Sequence, residues 1–82
     1  MGEQKNKLTL NKRVEICRTK LKKIGLKGAK HLFCLKFKKY MPKKGDDIAK
    51  NKIDNLYYGK IKDEKFTKDL EEFVILMEHT FS

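Results

Sequence analysis

The sequence predicts an all-α fold, a compact bundle of four short helices with a helix-turn-helix-like arrangement. Three observations lead there. Apolar residues recur at helical spacing in most of the chain, side chains suited to helix caps precede those stretches, and the five Gly and one Pro fall mainly between them. The 82 residues suffice for one core, so the expected organisation is a flexible N-terminal segment over residues 1–8 and a single helical domain over residues 9–82.

Leu10, Val14, Cys17, Leu21 and Ile24 share one helical face, with charged and polar residues between them. Thr9 or Asn11 is the candidate N-cap, because a side-chain oxygen there accepts from the unpaired N–H groups of the first turn. Gly25 is the candidate stop.

Residues 31–41 fit two patterns. Phe33, Leu35 and Phe37 alternate as in a strand, whereas Phe33, Cys34, Phe37, Tyr40 and Met41 follow helical spacing. Leu32 and Cys34 would stand on the strand's wet side, so helix is the expectation. Pro42 disfavours helical geometry at Met41, and with Lys43, Lys44 and Gly45 it marks a loop.

Asp46 or Asp47 is positioned to cap a third helix, with Ala49, Ile53, Leu56 and Tyr57 on its inner face and Gly59 at its end. The opposite face carries Asn51, Asp54, Asn55 and Tyr58, flanked by Lys50. Asp63 caps a fourth helix with a stripe of Phe66, Leu70, Phe73, Val74, Met77 and Phe81. Ile75 and Leu76 lie off that stripe and are candidate oligomer contacts.

Charge separates the two halves of the chain. Residues 1–44 hold fifteen Lys or Arg against two Glu, a balance of +13, whereas residues 45–82 hold six Lys against nine acids, a balance of −3. A basic half of this kind matches a polyanion, of which nucleic acid is the commonest. Nineteen of the 21 cations are Lys, point charges suited to phosphate rather than to bidentate base reading.

Enzymatic chemistry has little to build on. His31 and Cys34 stand three apart without a second close pair, and Cys17 already belongs to an apolar stripe, so no metal site is expected. No base stands against a nucleophile, and neither GxxxxGK[ST] nor GxGxxG is present. The acid pairs Asp46/Asp47, Asp63/Glu64 and Glu71/Glu72 fall at helix starts or on solvent faces, so no catalytic residue and no cofactor is expected. The polar first residues lack the apolar stretch of a signal peptide, and no run approaches the roughly 18 apolar residues of a membrane span. A host-cytosolic protein with two thiols and no membrane partner is expected.

The segment from Asn51 through Ile53, Leu56, Gly59 and Lys60 to Glu64, followed by the Phe66 helix, resembles the recognition-helix region of small phage-repressor-like (Cro-type) helix-turn-helix DNA-binding regulators, over about residues 46–73. The resemblance implies that Ile53 and Leu56 are buried, that Gly59 stops the helix, and that Lys60 and Lys62 meet phosphate. Lys50, Asn51, Asn55 and Tyr58 would read bases, Asn pairing with the N6 and N7 edge of adenine. Lys36, Lys38, Lys39, Lys43 and Lys44 would lie along the backbone. A phage or mobile-element transcriptional regulator binding duplex DNA, as a homodimer if it is to be tight, is the first functional expectation.

Two other classes fit the same charge. One is a phage-encoded inhibitor of a host defence nuclease, an anti-CRISPR-like role in which the basic face meets a protein or ribonucleoprotein. The other is a general RNA-binding protein stacking bases on Tyr40, Tyr57 and Tyr58.

Overall fold

Residues 9–81 are described by a computed structural model; the flexible segment expected over residues 1–8 lies outside them. Four α-helices follow one another: α1 (Leu10–Ile24), α2 (Ala29–Lys36), α3 (Asp47–Tyr57) and α4 (Glu64–Phe81), with a 3-10 turn at Lys38–Tyr40. No strand occurs among the described residues, which removes the alternating reading of residues 31–41.

The caps are local and chemical. Thr9, not Asn11, caps α1, its hydroxyl accepting from the Lys12 N–H at 3.1 Å. Asp46, not Asp47, caps α3 through the Ala49 N–H at 3.0 Å, and Asp63 accepts from the Phe66 N–H at 2.8 Å at the start of α4. Gly25 ends α1 at φ +83°, a left-handed conformation that costs a side-chain-bearing residue about 1 kcal/mol.

The second helix departs from expectation. It begins at Ala29 and ends at Lys36, and Phe37 adopts φ −110° and ψ 78° before the 3-10 turn. Pro42 stops any helix from continuing through Met41, and the bend at Phe37 carries Tyr40 to α4, where its hydroxyl donates to Asp69 at 2.7 Å. Ten residues therefore separate α2 from α3, where a helix-turn-helix has a turn of three or four.

The core centres on Phe33, which is wholly buried. Phe37 and Tyr40 stack on it with ring centroids at 5.0 and 5.3 Å, while Phe66 and Phe73 meet it edge-on at 5.3 and 5.5 Å. These are the offset and T-shaped geometries that the ring quadrupole favours. Val14, Cys17 and Leu21 of α1, Cys34 of α2, Ile53, Leu56 and Tyr57 of α3, and Leu70 and Val74 of α4 complete the cluster.

α1 and α4 make the most extensive helix pair and run in the same direction: Arg13 meets Glu71 near one end, and Ile24 stands beside Phe81 at the other. Phe81 corrects the expected stripe, being 57% exposed. Phe81 and Ile24, the last residue of α1, line an open groove there rather than a closed core. No buried side-chain nitrogen or oxygen among the described residues lacks a partner.

Candidate nucleic-acid interface

α3 is held at its C-terminal end by cations from two other helices. Arg18 of α1 bonds the last carbonyl of α3, and Lys30 of α2 forms an ion pair with Asp54. Both cations also lie over the ring of Tyr58, Arg18 at 5.6 Å and Lys30 at 5.5 Å from its centroid. Tyr58 therefore remains 54% exposed yet is fixed, by these cations and by an edge-on contact with Tyr57 at 5.1 Å.

The outer face of α3 follows from the 100° step per residue. Lys50 and Asn51 are exposed. Asn55 is half-buried, and its main-chain carbonyl accepts from the N–H groups of Lys60 and Ile61 at 2.8 and 3.1 Å, turning the chain out of the helix. Ile48, 84% exposed, lies on this same face beside Asn51 and Asn55. It is absent from the residues picked out by sequence, where only the adjacent pair Ile75 and Leu76 stands out off a core stripe.

The seven lysines expected at phosphate do not form one group. Lys43 and Lys44 lie on the connection before α3 and Lys60 and Lys62 on the connection after it, all exposed and none in an ion pair among the described residues. Lys36 and Lys38 are exposed at the end of α2 and in the 3-10 turn. Lys39 is different: its ammonium pairs with Asp69 at 3.0 Å and lies 5.2 Å from the Tyr40 ring centroid.

Lys39 also lines, with Lys52, Lys65 and Asp63, a groove of about 330 Å³ beside α3 that includes Met41, Ala49 and Leu56. Lys52 and Lys65 come from α3 and α4, and only the packing reveals that they share a groove with Lys39.

Asp69 balances this cluster. Burial opposes its ionisation, but the hydrogen bonds from Tyr40 and Lys39 outweigh that and hold its carboxyl below the usual range. The Tyr40 hydroxyl moves the other way, raised chiefly by burial and then by its bond to Asp69. Of the three tyrosines proposed for base stacking, Tyr57 is buried and Tyr40 is packed on Phe33, leaving Tyr58 as the exposed ring.

The remaining basic residues point elsewhere. Lys20 and Lys23 of α1 line the side of the bundle shared with α4, on the flank opposite Arg18. Ile75 lines that side too, whereas Leu76, one residue on, is turned about 100° away from it. The basic half thus presents two separate surfaces.

No group of three or more His, Cys, Asp or Glu that could hold a metal exists among the described residues, and none of their helices is long and apolar enough to cross a membrane. No protein-family model, curated protein or solved structure matches this chain.

Proposed function

We propose that this protein binds duplex DNA as a small transcriptional regulator of a phage or mobile element, with α3 entering the major groove. The carrying observation is the bracket around α3: Lys43 and Lys44 before it, Lys60 and Lys62 after it, exposed and without ion pairs among the described residues. An eleven-residue helix is about 16 Å long at 1.5 Å per residue, and the groove is about 12 Å wide, so lysines at its two ends span the flanking phosphates.

Each element of the outer face then has a chemical role. The Asn51 carboxamide suits the N6 and N7 edge of adenine, and Ile48 suits the methyl group of thymine. Lys50 offers a donor to guanine, Asn55 reaches less far from its half-buried position, and the fixed Tyr58 ring bounds the face at the C-terminal end. Arg18 and Lys30 act indirectly, by setting the angle at which α3 leaves the bundle. The ten-residue connection, rather than a tight turn, carries Lys43 and Lys44 to the backbone.

Fluorescence anisotropy on a labelled duplex tests the reading. Four phosphate contacts give a log–log salt slope of roughly −3.6, so affinity falls by about a hundredfold between 50 and 200 mM salt. Replacing Lys43 and Lys44 by Ala reduces the slope by about 2 on every sequence, whereas Asn51→Ala weakens only the preferred site, by about 1–3 kcal/mol. A salt-independent affinity, or one untouched by all three changes, overturns it. A partner captured from host lysate that survives nuclease treatment, with no affinity for free duplex, replaces it with inhibition of a defence protein.

A further inference from the structure

We infer that a second copy of this chain docks along the side of the bundle formed by α1 and α4, as a two-fold dimer whose axis runs parallel to those helices. The surface is a pair of grooves, of about 440 and 390 Å³, that meet at Lys20, each with apolar residues from both helices. Ile16 faces Ile75 in the first groove, and Ile24 faces Phe81 in the second. Ile75 and Phe81 are 58% and 57% exposed, so the groove floor presents apolar surface to solvent.

The walls of this surface differ in sign. Lys20 and Lys23 stand on the α1 side and Glu78 on the α4 side of the same groove. One level down, Arg13 and Glu71 neutralise each other across the groove, through bonds of 2.7 and 3.0 Å.

Symmetry decides the occupant. Because α1 and α4 run in the same direction, residues that share a groove share a height. A two-fold axis parallel to the helices keeps every height and exchanges left with right, so α1 of one copy faces α4 of the other. Lys20 and Lys23 then meet Glu78 of the other copy, while the floor of Ile16, Ile24, Ile75 and Phe81 meets itself. A two-fold axis perpendicular to the helices would instead set α1 against α1, with Glu78 of α4 opposite neither lysine. The parallel arrangement is the one that sets Lys20 and Lys23 opposite Glu78 on both sides of the axis, the self-complementarity an isologous dimer requires.

This inference does not depend on DNA binding, and its test contains no nucleic acid. Sedimentation equilibrium of the full chain at about 150 mM salt, where charges beyond roughly 8 Å are screened, reads the dimer directly. Lys20→Glu and Glu78→Lys each place like charges opposite across the two-fold, so each alone weakens the dimer by roughly tenfold or more. An equimolar mixture of the two variants restores opposite charges at both copies of the contact and recovers the dimer as a heterodimer. Any loss of fold within a single chain would persist in the mixture, so recovery isolates the contact between chains.

Ile75→Ser, an exposed change that leaves the helix intact by circular dichroism, abolishes the dimer as well. A chain that stays monomeric at all concentrations, as it would if residues 1–8 or a different protein filled the groove, overturns the inference. So does a dimer indifferent to Ile75→Ser, or a mixture of the two charge variants that remains monomeric.

Discussion

The Arg18 guanidinium, on α1, donates from Nη1 to the main-chain carbonyl of Tyr57 at 2.6 Å, closing the last turn of α3 from a helix 39 residues earlier in the chain. A helix end leaves its last carbonyls without partners, and a cation there satisfies one of them while opposing the negative end of the helix dipole. Arg18→Ala is therefore expected to lower stability by about 1.5–3 kcal/mol, the usual worth of a hydrogen bond to a charged group, read as a shift in urea midpoint at unchanged slope. Amide exchange in the last turn of α3 is expected to quicken more than in α1. Equal acceleration in both helices would refute the local role.

Gly59 follows α3 at φ +81°, and a Cβ there would meet the Asn11 side chain at 3.7 Å, an ordinary contact. The cost of Gly59→Ala comes from the backbone rather than from crowding, and is expected at about 1 kcal/mol, with Gly59→Asn less harmful because Asn tolerates the left-handed region. Thermal melts of the two variants give the comparison; an Ala variant as stable as the parent would rule out the backbone argument.

Phe33 is ringed by four aromatic side chains and has no exposure. Truncation to Ala is expected to cost about 3–5 kcal/mol, which in a domain whose total stability is of order 5–15 kcal/mol leaves little or no folded protein. Phe33→Leu keeps most of the volume and is expected to stay helical with a lowered melting temperature.

Acid is expected to weaken the fold through two carboxylates. The Arg13 hydrogen bond holds Glu71 below its ordinary 4.5, and Asp69 lies below 3.8 despite its burial. Depressed folded values mean that this stability is fully present above the ordinary carboxylate range and is lost as pH falls through the folded values. Urea midpoints measured from about pH 6 down to 2 should fall along this limb, and Glu71→Gln should flatten it while lowering the plateau by about 1 kcal/mol. A limb as steep in the Gln variant would remove Glu71 from the account.

Cys17 sits on the α1 core stripe with its thiol pushed up to about 11, chiefly by burial and then by the charge of Glu71. Its folded value exceeds the ordinary 9.0, so the neutral thiol's contribution to stability is complete below pH 9.0 and is lost as pH rises to about 11. Alkylation with iodoacetamide at pH 8 is expected to be slow in the native protein and rapid in denaturant, followed by mass spectrometry. Rapid native labelling at Cys17 would show that α1 opens readily from α4.

Much of this molecule is written locally. The stripe from Leu10 to Ile24, the cap at Asp63 and the outward turn of Asn51 each depend on residues within a turn or two of one another, so spacing and capping determined three of the four helices, whereas packing leaves Asp54 and Asn55 of the expected outer face of α3 only half-exposed. Tertiary structure decided where the patterns stop applying. Residues 31–41 keep helical spacing past the point where Pro42 and the reach of Tyr40 to Asp69 bend the chain, and Phe81 keeps the stripe where α1 and α4 leave an open groove instead of a closed core.

The same distinction governs the charges. The +13 half is a sum over the sequence, but Lys43 and Lys44 border α3 while Lys20 and Lys23 border α4, a division set by which way each side chain points once the helices have packed. Arg18 and Lys30 meet Tyr58, and Arg13 meets Glu71 from 58 residues away, through contacts that have no period and no motif. Periodicity and capping are short-range physics and can be read along a chain; partners brought together by packing exist only after the core around Phe33 has closed.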